Sequence, residues 1–222
     1  MTRGEDPGPA EPRSRPPSAV SPELAAEDVL RIKVKAELRK RMRGVRKTAP
    51  LEACAERSAK IIAALEAHDA LVPATSVALF WPIVARHEVD LRALDASLRA
   101  RGVRVAYPAI DAETNLMTFR FVDDIAAMEE LGYGFAEPRP DAPHATELDA
   151  IIVPAIAVDP TGHRIGYGAG YYDRTLPRYA PPAVSLAVAF DWQLIAEVPA
   201  MPDDVRVDWI VTDVRVLRAE QP

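Results

Sequence analysis

From Asp159 to Arg174 the chain reads Asp-Pro-Thr-Gly-His-Arg-Ile-Gly-Tyr-Gly-Ala-Gly-Tyr-Tyr-Asp-Arg, and four of its ten glycines (Gly162, Gly166, Gly168, Gly170) fall within nine residues. Glycine lets successive backbone N–H groups converge at φ values other residues avoid, and lets a phosphate approach with no Cβ in the way. Arg164 offers a planar donor fork for phosphate oxygens, Tyr171 and Tyr172 offer flat faces, and Asp173 is a hard oxygen ligand suited to Mg²⁺. The spacing is neither a Walker A motif, which closes on Gly-Lys-Ser/Thr, nor a dinucleotide fingerprint. On the glycines alone a flexible surface turn explains the loop as well as phosphate binding does, and the flanking residues favour phosphate. No Ser-His-Asp or Cys-His set is legible, which argues against a hydrolase. His163 has no second His or Cys at ligand spacing, and His68, His87 and His144 receive no role.

The loop needs fixed elements on both sides. Asp149-Ala-Ile-Ile-Val-Pro154 precedes it, apolar on both faces as an internal parallel strand requires. Tyr171 to Arg178 follows as a short helix whose N-terminal dipole would face an anion. Upstream, Ser21-Pro22 reads as an N-cap and first helical position, opening a helix through about Val45 with Leu30, Val34, Leu38 and Met42 as its buried stripe. A second helix spans Leu51 to about Ala67, with Leu51, Ala55, Ser58, Ile62 and Leu65 on one face. Strand Ser76–Trp81, a helix from Leu91 to Arg101 stopped by Gly102, and strand Val103–Tyr107 form a parallel βαβ unit. Further strands are expected at Met117–Val122, Ser185–Phe190 and Val207–Thr212. The fold class is therefore α/β, a mostly parallel sheet flanked by helices. A proline-rich tail (1–20) is expected to be disordered, followed by one domain (21–217) and a short C-terminal tail (218–222).

Composition narrows the function classes. At 49% hydrophobic and 27% charged, the chain can build a core. Cys54 is its only cysteine, so an intramolecular disulfide and a Cys-based zinc site are both excluded, and a reducing cytoplasm is the expected compartment. No stretch is apolar enough to cross a bilayer, and no signal peptide is legible. The net charge is −6, yet Arg31 to Lys47 holds nine Lys and Arg against Glu37 alone. Aromatic interleaving is absent from that segment, which disfavours nucleic-acid binding.

The glycine loop, with Asp149–Pro154 before it, resembles the signature of the 5-formyltetrahydrofolate cyclo-ligase family. Lys35-Ala-Glu-Leu-Arg39 is similar to that family's N-terminal Lys-x-x-Leu-Arg, and Trp81-Pro-Ile83 with Glu88-Val-Asp90 to its folate-side segment. Gly134 with Glu137-Pro138 is similar to its mid-chain turn; Ala189–Gln193, Val198-Pro199, Asp204 and Val207-Asp208 are similar to its C-terminal run. The stretch Val84–His87 is about two residues longer than the family pattern.

The resemblance implies a fold like ribose-phosphate isomerases and CoA transferases. It also implies MgATP-dependent conversion of 5-formyltetrahydrofolate into 5,10-methenyltetrahydrofolate, ADP and phosphate. By matching position, Lys35, Arg39, Arg164, Ile165, Gly166, Tyr167, Gly168, Ala169, Gly170, Tyr171 and Tyr172 would hold ATP, with Arg164 and Tyr171 catalytic. Trp81, Glu88 and the run Tyr167, Gly168, Ala169, Gly170, Tyr171 would contact the folate, and Asp173 and Asp204 would ligate Mg²⁺. Other readings stay open: core packing for Trp81, a helix cap for Asp173, and a loop acid beside Asp203 for Asp204. A solvated basic face accounts for Arg31, Lys33, Lys40 and Lys47. The expected partners are 5-formyltetrahydrofolate and MgATP, acting on a monomer without membrane or nucleic acid. The alternative is a paralogue that keeps the MgATP site and acts on another substrate.

Overall fold

A computed structural model describes residues 22–111, 113–130 and 135–220. The proline-rich segment, the Ser21 cap and Gly134 lie outside the described residues. Helices α1 (Pro22–Thr48) and α2 (Leu51–Glu66) lead into strand β1 (Ser76–Ala78), helix α3 (Arg92–Ala100) and strands β2 (Arg104–Ile110) and β3 (Met117–Phe121). A small hairpin of β4 (Glu129–Glu130) and β5 (Ala136–Glu137) precedes β6 (Ala150–Pro154). A second, β7 (Ala157–Val158) with β8 (Arg164–Ile165), carries the chain into the glycine loop and α4 (Tyr171–Thr175). Strands β9 (Val184–Val188), β10 (Trp209–Val211) and β11 (Val216–Arg218) complete the fold.

The main sheet has seven strands in the order β11-β10-β9-β6-β1-β2-β3. Its five central strands are parallel, and antiparallel β3 and β11 close the edges. The expected βαβ unit is present, β1 pairing parallel with β2 across α3. Side chains alternate between two cores as the pleat dictates. Val77, Val105 and Ile152 join α2 and α3 in one core, whereas Ala78, Ala106, Ile151 and Val153 join Leu176 and Tyr179 after α4 in the other. Cys54 is buried and unpaired. None of the described helices is long and apolar enough to cross a membrane.

Several local expectations need correction. Of the α1 stripe only Met42 is buried and Leu38 partly so, while Leu30 is 61% and Val34 39% exposed. A four-residue spacing overshoots a helical turn by about 40°, so a row of four such residues drifts by about 120° and cannot stay on one face. The inward face of α1 instead carries Lys35, Leu38, Arg39, Met42 and Arg46. On α2, Leu51 and Ala55 are exposed and Cys54 and Ile61 take their place inside. β1 stops at Ala78 because the chain leaves the ladder after the Leu79 N–H meets the Ala106 carbonyl, sending Phe80 and Trp81 toward a cavity. β11 and both hairpins have too few residues to show a period. The last described residues are anchored, the Ala219 and Glu220 N–H groups donating to the Asp208 and Pro160 carbonyls.

Candidate functional site

A cavity of about 530 Å³ opens at the carboxyl ends of the parallel strands. Phe80 and Trp81 after β1, Pro108 and Ile110 in β2, Pro154 in β6 and Val188 in β9 form its floor. That is where an α/β sheet places its ligands, because side chains and loops diverge there and leave backbone groups unpaired. α1 and the glycine loop form the walls. Lys35, Arg39, Trp81, Glu88, the whole run from Arg164 to Asp173, and Asp204 line this one space.

The loop is held by α1. Arg39 donates its Nε–H to the Gly166 carbonyl at 2.7 Å, and its guanidinium lies against Gly168, where a Cβ would sit 3.3 Å from Arg39 Cζ. Gly168 has φ +103°, a conformation that only glycine adopts without strain. Gly170, at φ +66°, is the residue preceding α4. Gly162 plays a different part from the other three. Its position would bring a Cβ within 2.5 Å of the Val207 carbonyl, so it permits close packing of two backbone segments outside the cavity. α4 itself is five residues long, too short to supply more than a small fraction of a helix dipole.

Arg164 is buried, donating to the Val205 carbonyl and, at 3.0 Å, to Asp173 Oδ1. Burial pulls its pKa down while Asp173 opposes the shift, which keeps a guanidinium charged inside the protein. Asp173 Oδ1 also accepts from the Val205 N–H at 3.2 Å. It makes no capping bond to α4, so the helix-cap reading of this residue falls away. Asp204 pairs with Lys35 and accepts from the Met201 N–H at 2.7 Å, whereas neighbouring Asp203 is exposed. The Asp173 contact to Val205 places the two carboxylates on adjoining backbone. Among the described residues no cluster of three or more metal-ligating side chains occurs. Two carboxylates are nevertheless enough for a Mg²⁺ that takes its remaining oxygens from phosphates and water.

On the opposite wall Glu88 is buried, one carboxylate oxygen accepting from the Ile83 N–H at 2.8 Å and the other from the Tyr167 hydroxyl. Asp90, two residues on, pairs with Arg92 away from the cavity. Trp81 both lines the cavity and packs edge-on to Tyr107, centroids 5.9 Å apart, so one side chain serves cavity lining and core packing together. Tyr171 lines the cavity and donates its hydroxyl to Asn115 Oδ1 at 2.7 Å. The Tyr172 hydroxyl is buried without a hydrogen-bond partner among the described residues, and its burial raises its pKa.

Two arginines escaped the sequence reading. Arg46 is 4% exposed and donates to the Tyr167 hydroxyl at 2.7 Å; Arg86, in the longer Val84–His87 stretch, lies over the Tyr167 ring at 4.7 Å. Arg46 was findable, since it follows Lys35 and Arg39 on the same helical face, eleven and seven residues on. Arg86 gave no signal.

The family model described as the 5-formyltetrahydrofolate cyclo-ligase family matches residues 31–213. A 5-formyltetrahydrofolate cyclo-ligase of Mycolicibacterium smegmatis is 45% identical over 86 residues, 37% of this chain and 44% of that protein. The NMR structure of Aquifex aeolicus 5,10-methenyltetrahydrofolate synthetase superposes with a TM-score of 0.74 at 30% identity, covering 85% of this chain and 94% of that one. A 5,10-methenyltetrahydrofolate synthetase from Mycoplasma pneumoniae shares the fold, with a TM-score of 0.65 at 23% identity over 81% of this chain and 98% of its own.

Proposed function

Because the chain belongs to the 5-formyltetrahydrofolate cyclo-ligase family, we propose that it converts 5-formyltetrahydrofolate and MgATP into 5,10-methenyltetrahydrofolate, ADP and phosphate. The observation that supports this reading most is the convergence of Lys35, Arg39, Glu88, Arg164, Asp173 and Asp204, drawn from four distant parts of the chain, on one cavity beside the glycine loop.

The chemistry needs activation of a poor leaving group. The formyl oxygen attacks the γ-phosphorus, the bond to the β-phosphate oxygen breaks and ADP departs. N10 then closes onto the formyl carbon, the carbon–oxygen bond breaks, phosphate leaves and the N10 proton is released. Such a transfer asks the protein to position reactants and neutralise charge. Lys35 and Arg39 would meet the nucleotide's phosphates from a rigid helix, and the backbone N–H groups from Gly166 to Gly170 would cradle them. Arg164, desolvated and fixed by Asp173 and the Val205 carbonyl, would stabilise the transferring phosphoryl group, and Tyr171 would stand beside the reacting centre. Asp173 and Asp204 would hold Mg²⁺, which supplies charge neutralisation at the β- and γ-phosphates when bound. Glu88 would accept from the pterin's donor edge, with Trp81 as an apolar wall. The reading includes a monomer in the cytoplasm, a compartment that suits the free, buried Cys54.

The test is to mix the purified protein with 5-formyltetrahydrofolate and MgATP and follow the absorbance of methenyltetrahydrofolate. Product formation that needs both substrates is the expected result. Nucleotide binding with no product from this folate would overturn the substrate assignment in favour of a paralogue.

A further inference from the structure

Tyr167 sits inside the glycine loop, between the residue that Arg39 holds by its carbonyl and the residue that Arg39 packs against. Yet its hydroxyl leaves the loop and reaches Glu88 on the opposite wall, while accepting from Arg46 at 2.7 Å. Arg46 and Glu88 are themselves 3.8 Å apart, with side chains 5% and 6% exposed. A single hydroxyl is therefore shared between a buried cation and a buried anion, one from α1 and the other from the segment after β1. The ring that carries it stands close to further cations, the Arg43 and Arg86 guanidinium carbons 4.8 Å and 4.7 Å from its centroid.

Each part of this arrangement limits motion. The second Glu88 oxygen is held by the Ile83 N–H, so rotation of the carboxylate is governed by what the first oxygen meets. Burial and the neighbouring Glu88 carboxylate keep the Tyr167 hydroxyl protonated and hence a donor. The ring cannot swing without leaving the arginines that flank it. Any ligand that orders the backbone of Gly166 and Gly168 orders Tyr167 and, through it, Glu88.

We propose that Tyr167 is a positioning residue that couples the two halves of the site, so that a nucleotide in the glycine loop pre-orients Glu88 and tightens binding of the reduced folate. This rests on the assignment of the loop to nucleotide and Glu88 to folate made above. Coupling between sites is reciprocal, so folate must tighten nucleotide binding by the same factor. The link needs only a hydroxyl on a ring, and Tyr167→Phe removes the hydroxyl while leaving the ring among its arginines.

The experiment measures the Kd for 5-formyltetrahydrofolate with and without a saturating, non-hydrolysable ATP analogue and Mg²⁺, in the wild-type protein and in Tyr167→Phe. The wild-type affinity should rise at least about 5-fold with nucleotide, the low end of ordinary coupling, and in Tyr167→Phe the ratio should fall below about 2. A double-mutant cycle adds Glu88→Gln: if the hydroxyl acts through the carboxylate, the two effects on folate Kd are non-additive. A Tyr167→Phe protein that keeps the wild-type ratio, a wild-type protein with no ratio, or additive effects in the cycle would overturn the coupling. Each of those results is compatible with full turnover by the wild-type enzyme. A wild-type protein that neither binds nor turns over the folate overturns the functional assignment itself, and the coupling with it.

Discussion

Lys35 and Asp204, separated by 169 residues, form an ion pair on the cavity wall, their side chains only 13% and 19% exposed. The cation suited to phosphate and one of the two carboxylates suited to Mg²⁺ neutralise each other. If MgATP binds as proposed above, it exchanges this contact for two others, Lys35 turning to phosphate oxygens and Asp204 to the metal. Lys35→Met keeps most of the apolar stem and removes the charge. We expect the apparent KM for MgATP to rise at least about 10-fold, roughly 1.4 kcal/mol, with the KM for 5-formyltetrahydrofolate changed less than about 3-fold. Steady-state kinetics with each substrate varied in turn check this, and equal effects on both would return Lys35 to a structural role.

Three of the four loop glycines separate by physics. Gly162→Ala would drive a Cβ to 2.5 Å from the Val207 carbonyl at φ +87°, and we expect a loss of at least about 2 kcal/mol, or about 4–8 °C in Tm. Gly168→Ala meets only the movable end of Arg39 but is strained at φ +103°, so a smaller loss of Tm than at Gly162 should accompany at least 10-fold weaker nucleotide binding. At Gly166 nothing lies within 4 Å and φ is not positive, so Gly166→Ala should keep the wild-type Tm. Calorimetric titration with MgADP beside thermal melts would reveal the ranking.

Asp173→Asn tests the metal assignment. Turnover should fall at least about 100-fold, roughly 2.7 kcal/mol of barrier, and excess Mg²⁺ should recover part of it. Unlike a surface cap, Asp173 is the counter-charge of buried Arg164, so Tm should fall too, by an amount matching roughly 1–3 kcal/mol. Near wild-type turnover with the ordinary Mg²⁺ dependence would remove Asp173 from the metal site.

Glu137 on β5 is fully buried, with one carboxylate oxygen accepting from the Ile110 N–H at 2.7 Å and the other without a partner among the described residues. Burial raises its pKa above the ordinary 4.5. The folded state therefore binds this proton more tightly than the unfolded chain. Its stabilising contribution is complete below the unfolded value and is lost as pH rises through the folded one. Glu137→Gln, which cannot ionise, should flatten the fall of Tm with pH above about 4.5. An unchanged slope in melts from pH 4 to 8 would show that Glu137 ionises freely.

The parallel strands were legible because their apolar runs are bounded by turn residues, and β6 shows how far that reaches: Ala150–Pro154 lies within one residue of the expected limits. The α1 face was misread for a geometric reason. Hydrophobicity marked Leu30 and Val34 for burial, but the inward face is chosen by Lys35, Arg39 and Arg46, whose partners belong to two loops over a hundred residues away. Motif spacing brought the glycine loop and Asp173 into view. It could not distinguish Gly162 from its neighbours, because that difference lies in the backbone of Val207. Arg86 was invisible for the same kind of reason, its mark being its place over the ring of Tyr167.

The attachment of α1 also bears on the order in which the molecule assembles. The helix is tied to the rest by Lys35 to Asp204, Arg39 to Gly166 and Arg46 to Tyr167, contacts that span 169, 127 and 121 residues, while Leu30 and Val34 contribute little burial. Contacts across such separations carry a large loop-closure entropy and reward it only once the sheet exists. The β-sheet can thus form before α1 covers the cavity, and the closing step joins these polar contacts to the burial of Met42 against Ile156, Ile165 and Val198. Salt screens these charges while α1 is still open to water and much less once it has docked, so it would slow that step while leaving the sheet intact. Ligands that bridge α1 and the glycine loop would hold it shut, making catalytic competence a late acquisition of the folding chain.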